Sequence, residues 1–145
     1  MPKCENRTLI YKKLSEYRNI VLENDSLIRA LDFLKDQDEI SPSQYSRIDE
    51  LEKTIIPEAI KKEKAAKEEI DKYINRTKTE TTLSPFSLSI IELRYFSALE
   101  WPDVAAALYS TAWSNATKTE KASYMNRIFK QHSRTLSAIE KHMPL

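Results

Sequence analysis

Residues 84–141, SPFSLSIIELRYFSALEWPDVAAALYSTAWSNATKTEKASYMNRIFKQHSRTLSAIEK, decide the fold. Ser84 followed by Pro85 marks a helix start, because the serine oxygen satisfies an orphan N–H and proline lacks the donor that would go unused. The dense apolar run Phe86, Leu88, Ile90, Ile91, Leu93, Tyr95 and Phe96 predicts a helix surrounded on most sides. Ala98-Leu99-Glu100 then turns the chain. Trp101, Val104, Ala105 and Leu108 recur at i, i+3, i+4 and i+7, a short amphipathic helix whose first turn tolerates Pro102. Residues 110–116, STAWSNA, break the period, and Thr117 with Glu120 offers a capping box ahead of a long helix reaching Lys141. The expected module is three helices, the middle one short.

The long last helix has two unlike faces. At about 100° per residue, Met125, Ile128, Phe129, His132, Leu136 and Ile139 share one face, which predicts burial. On the opposite face lie Ser123, Arg127, Lys130, Arg134, Ser137 and Lys141, flanked by Asn126 and Gln131. Residues 117–142 carry six Lys/Arg and two Glu, a net +4 in a chain whose total is +1. Positive charge is therefore concentrated in the last helix. Cations neutralise phosphates, and Arg with guanine or Asn and Gln with adenine make bidentate pairs, so this face has the chemistry that major-groove reading needs. Lys118, Lys121, Ser123, Asn126, Arg127, Lys130, Gln131 and Arg134 are the expected DNA contacts. The same pattern also suits a solvated amphipathic surface. His132 falls on the apolar face and is expected to be a hydrogen-bonded core residue, and Trp101 to be structural. Trp113 is expected to plug the extended turn, and His142 to fray into solvent.

Working toward the amino terminus, Ile10, Leu14, Tyr17, Val21, Ile28 and Leu31 follow alternating steps of four and three, with Asn24 interrupting the seam. A first helix is expected over residues 5–35. The acidic stretch 36–41 lacks a period, and Ser41-Pro42 with Gln44 starts a second helix by the same capping logic. That helix carries Tyr45, Ile48, Leu51, Ile55, Ala59, Ala66, Ile70 and Tyr73 on roughly one face and fades over residues 77–82. Pro57 should bend it or split it in two. The expected fold is all-α: residues 1–78 form an antiparallel, coiled-coil-like helical hairpin, and residues 84–145 a three-helix helix-turn-helix module. Two helices bury little surface by themselves, so the apolar stripes should also meet the C-terminal module or a second chain, and a homodimer is expected.

Composition excludes several classes of function. The 145 residues include no glycine, where about ten would be usual, so phosphate-cradling P-loops and dinucleotide fingerprints are absent. The single Cys4 cannot form an internal disulfide, and Cys4, His132 and His142 match no zinc-ligand spacing. Neither histidine has a nucleophile or carboxylate at a triad-like position, and the carboxylates are dispersed along helix surfaces. A non-enzyme with no metal and no cofactor is expected. The start MPKCENR lacks an apolar signal core and no run is long enough to cross a bilayer, so a cytoplasmic protein without membrane contact is expected. Residues 1–82 carry 16 basic and 17 acidic side chains, which confines any nucleic-acid binding to the C-terminal module.

Ile91-Glu92-Leu93-Arg94-Tyr95-Phe96, followed by Trp101-Pro102-Asp103-Val104-Ala105-Ala106-Ala107-Leu108, resembles the "LRY, then W-x-x-I/V-A" stretch of sigma-factor region-4-like modules. The likeness is to small regulators of phages of Gram-positive bacteria, the ArpU-like and RinA-like group. Arg127, His132 and Leu136 are similar to the end of that pattern, and residues 45–51 and 69–74 resemble its helical lead-in, so the likeness spans about residues 45–141. In that group the short helix passes to the reading helix within a few residues, whereas residues 109–117 here form a longer turn with Trp113 and Asn115. The resemblance implies a phage- or prophage-encoded transcription regulator that binds double-stranded promoter DNA through its last helix and touches host RNA polymerase or another protein regulator. A protein-binding module that modulates a host or mobile-element regulator, and a small DNA-packaging subunit, are the alternatives.

Overall fold

The computed structural model describes residues 8–144, and every regular element among them is helical. The residues before position 8, including Cys4 and the start expected for the first helix, lie outside the described residues. Helix α1 runs over Leu9–Lys35, α2 over Pro42–Glu50, α3 over Ile56–Glu80, α4 over Pro85–Ile91, α5 over Trp101–Tyr109, α6 over Thr111–Ser114 and α7 over Lys118–Glu140. One-turn π segments, Leu51–Ile55 and Glu92–Phe96, join α2 to α3 and extend α4. The chain is thus all-α, with an antiparallel hairpin followed by a helix-turn-helix module. Its extended turn carries an additional short helix, α6.

The predicted caps are made. The Ser41 hydroxyl accepts from the Gln44 amide N–H, and the Gln44 side chain accepts from the Ser41 N–H. Thr117 and Glu120 close the same reciprocal box on α7, and Ser84 accepts from the Ser87 N–H. Each box satisfies two donors that a helix end would leave bare. The cap of α1 comes partly from the far end of the chain: the Glu140 carboxylate accepts from the Leu9 and Ile10 N–H groups at 3.1 and 2.8 Å.

Pro57 neither splits the second helix nor ends it. The Ile56 N–H bonds to the Leu51 carbonyl, one residue further back than in an α-helix. This widening by one residue relieves the conflict between a proline ring and the carbonyl four positions earlier, so the helix continues to Glu80. The second π segment ends in a similar way, with the Ser97 N–H on the Glu92 carbonyl at 2.8 Å. Ala98 follows at φ 59°, and Ser110 stands at φ 51°, ψ −121° between α5 and α6. Both positions favour glycine, which this chain does not use. Ser110 is exposed and its side chain is not needed for packing. Ser110→Gly is therefore expected to raise the unfolding free energy by about 1 kcal/mol, read as a higher urea midpoint at unchanged slope.

One core joins the hairpin base to the C-terminal module. Ile10, Leu14, Tyr17 and Val21 of α1 and Ile70, Tyr73 and Ile74 of α3 pack with Ile91, Tyr95, Ala98, Leu136, Ile139 and Met143. A smaller cluster of Ile90, Ala105 and Ile128, ringed by Phe86, Trp101, Leu108, Tyr109, Trp113 and Met125, seats α7 on α4 and α5. Asn24, where the seam is interrupted, is buried, and its amide donates to the Ala59 carbonyl and to Glu63 across the hairpin. Only one register of α1 on α3 satisfies that amide. Beyond Asn24 the seam is only partly covered: Leu51 is buried and Leu31, Ile48 and Ile55 are half-buried, whereas Ile28 is 39% and Tyr45 60% exposed, contrary to the continuous buried stripe expected from spacing. Most of the core lies at the base, where the module supplies a third wall.

Candidate nucleic-acid interface

The carboxyl half of α7 is embedded through Ile128, His132, Thr135, Leu136 and Ile139, which leaves its other face outward. Lys118, Ser123, Asn126, Arg127, Lys130 and Arg134 are exposed, as are Ser137 and Lys141. Arg127, Lys130 and Arg134 form a ridge between two open troughs. One, of about 890 Å³, is lined by Ser123, Asn126, Phe129 and Ser133 together with the three cations. The other, of about 430 Å³, is bounded by Phe86, Tyr109 and Gln131.

The strip stays positive because the acids of α7 are used elsewhere. Glu120 closes the cap on Thr117, whose backbone N–H holds its carboxyl below the usual range. Glu140 caps α1. No ion pair among the described residues engages Arg127, Lys130 or Arg134. Glu100, the carboxylate of the turn before α5, pairs with Arg18 at 3.0 Å and Arg94 at 3.7 Å. The cationic face is thus neither covered by the hairpin nor neutralised by it.

Two expected contacts sit differently. The Gln131 amide donates to the buried Ser87 hydroxyl at 2.6 Å, tying α7 to α4, so this amide is occupied by packing. The Lys121 ammonium lies 5.2 Å from the centre of the Trp113 ring, half-buried at the edge of the strip. Ser133 and Phe129 line the larger trough without having been singled out as contacts. Ser133 follows Asn126 by seven residues, two helical turns, which is the signal that would have placed it.

Trp113 packs near Tyr124, with ring centroids 6.5 Å apart, and Tyr124 stacks on Tyr109 at 4.4 Å. These rings fill the long turn and hold the first turns of α7 in place. Arg94 is structural: its guanidinium donates to the Leu99 carbonyl at 3.0 Å and lies 4.6 Å from the centre of Trp101. Arg18 of α1 donates to the Ala98 carbonyl at 3.2 Å, so both arginines pin the turn that leads into α5. His142 does not fray: it is half-buried, with Nδ1 3.6 Å from the Glu80 carboxylate.

His132 is fully buried, hydrogen-bonded to the Tyr95 hydroxyl and edge-on to Trp101. Burial, reinforced by the nearby Arg94 charge, lowers its imidazole from 6.5 to about 4. Folded protein therefore keeps His132 neutral while unfolded chain takes up a proton below pH 6.5, and stability falls as pH drops through that window. Between pH 7.5 and pH 5 the unfolding free energy should fall by about 2 kcal/mol from this group. Urea melts at the two pH values check it, and an equal fall in His132→Gln would assign the loss to other groups.

No group of three metal-ligating side chains and no helix long and apolar enough to cross a membrane occurs among the described residues. No family model, no curated protein and no solved structure matches the chain.

Proposed function

We propose that the chain is a DNA-binding regulator of transcription, encoded by a phage or prophage and similar to sigma-factor region 4 in its C-terminal module, which docks α7 into the major groove of promoter DNA. The observation that supports this best is the unneutralised strip Ser123, Asn126, Arg127, Lys130 and Arg134 on an outward helix face that the core leaves free. Arg127, Lys130 and Arg134 neutralise phosphates or read guanine, and Asn126 offers the bidentate amide that suits adenine. Gln131 serves the fold and is removed from the set of base readers. Fluorescence anisotropy of a labelled duplex of mixed sequence at about 50 mM salt tests this, because phosphate contacts alone give measurable binding there. A saturating rise with protein is expected. A flat trace removes DNA as the partner.

A further inference from the structure

Phe129 stands apart from the other large apolar residues of α7's inner face. Met125, Ile128, Leu136 and Ile139 belong to the two core clusters or pack on them, whereas Phe129 is half-buried and, among the described residues, enters neither. Its ring is nevertheless held in place. Trp101 meets it edge to face, with centroids 5.2 Å apart and planes at 83°, and Trp101 is itself in contact with Arg94 and His132. Phe129 also lines the larger trough, in company with Ser123, Asn126, Ser133 and the three cations. A supported aromatic ring in a polar, cationic trough suits a charged ligand that carries one apolar feature.

The directions of the side chains divide this trough in two. At about 100° per residue, Asn126 and Ser133 point within about 20° of each other. Measured from Asn126, Lys130, Arg134 and Arg127 lie about 40°, 80° and 100° to one side, and Phe129 lies about 60° to the other. A major groove is about 12 Å wide and a helix with its side chains about as broad, so residues on both flanks of Asn126 touch it. With Asn126 and Ser133 toward the floor, the cations lie toward one wall of phosphates and Phe129 lies against the base edges on the uncharged side.

We propose that Phe129 recognises thymine, its ring packing on the C5-methyl group while Asn126 pairs with an adenine beside it, and that α7 thereby prefers A·T to G·C base pairs. The thymine methyl is the apolar group that base edges present in the major groove, and the other three bases lack it. The spacing fits. Three residues of helix rise about 4.5 Å, close to the roughly 3.4 Å between stacked base pairs, so the two side chains fall on the same or adjacent pairs. The assignment rests on the DNA-binding reading above and deepens it: Arg127, Lys130 and Arg134 supply affinity, whereas Asn126 and Phe129 supply the choice of base.

Fluorescence anisotropy of the full chain at about 50 mM salt tests it with three labelled duplexes of equal length: alternating A·T, the same duplex with uracil for every thymine, and alternating G·C. Uracil pairs as thymine does and lacks only the methyl group. The A·T duplex should bind at least about fivefold more tightly than G·C, the low end of one bidentate base contact. Uracil should cost about fourfold, the burial of one methyl group. Phe129→Ala should bind the thymine and uracil duplexes equally, while Asn126→Ala, at an exposed position, should keep that difference and lose most of the preference over G·C. A Phe129 that only supports the fold would weaken all three duplexes alike. Equal binding of thymine and uracil duplexes by the unaltered protein overturns the assignment and leaves docking of α7 on DNA standing. So does a difference that survives Phe129→Ala, or a preference for G·C. No binding to any duplex overturns both.

Discussion

Replacing Arg127, Lys130 and Arg134 together by glutamate is expected to abolish retention on duplex DNA, lowering affinity by at least about a thousandfold at low salt. The three side chains are exposed and hold no ion pair among the described residues, so little stability is lost with them. The variant takes the net charge of the chain from +1 to −5 and converts the ridge between the two troughs from attractive to repulsive toward phosphate. Circular dichroism should be unchanged. Lys118→Glu alone, at the far end of α7, should cost far less, because it stands outside both troughs. Binding that survives the triple reversal would move the interface off α7.

Leu136→Ala is expected to lower the unfolding free energy by about 2–5 kcal/mol, through lost apolar transfer and the cavity left behind. Leu136 is 1% exposed and packs in the cluster that contains Ile10 and Leu14 of α1 and Ile70 and Tyr73 of α3. Because the cluster spans both parts of the chain, the hairpin and the C-terminal module should lose structure together. The test is built into the sequence: both tryptophans, Trp101 and Trp113, lie in the C-terminal module, whereas far-ultraviolet circular dichroism reports all helices. Urea transitions followed by the two signals should coincide in the parent and in Leu136→Ala. Separate midpoints would mean that the base cluster does not couple the two parts.

The local chemistry of this fold was legible in the sequence, and its long-range packing was not. Ser41, Ser84 and Thr117 begin helices as their side chains dictate, because capping is decided within four residues. His132 was identifiable as core from periodicity alone. The effect of Pro57 was not, since a proline can be absorbed by a π turn only if the rest of the helix is held by packing on both sides of it. Ile28 and Tyr45 have the spacing of buried residues and are exposed, whereas Leu51 on the same expected stripe is buried, because burial depends on which neighbouring helix covers each position and not on spacing alone. At the candidate interface the cationic ridge followed from spacing, whereas the inward turn of Gln131 depends on Ser87, more than forty residues away. A still longer separation, 130 residues between Glu140 and Ile10, hid Glu140 as the cap of α1, and with it part of the reason that the α7 strip is left positive.

The direct test of a cationic α7 face that docks on DNA is the salt dependence of duplex binding by the full chain. A plot of log affinity against log salt should be linear with a slope of about −3 per copy, the counterion release of Arg127, Lys130 and Arg134, and should flatten by about 1 with Lys130→Ala. A slope near zero, or no binding at about 50 mM salt, would contradict it.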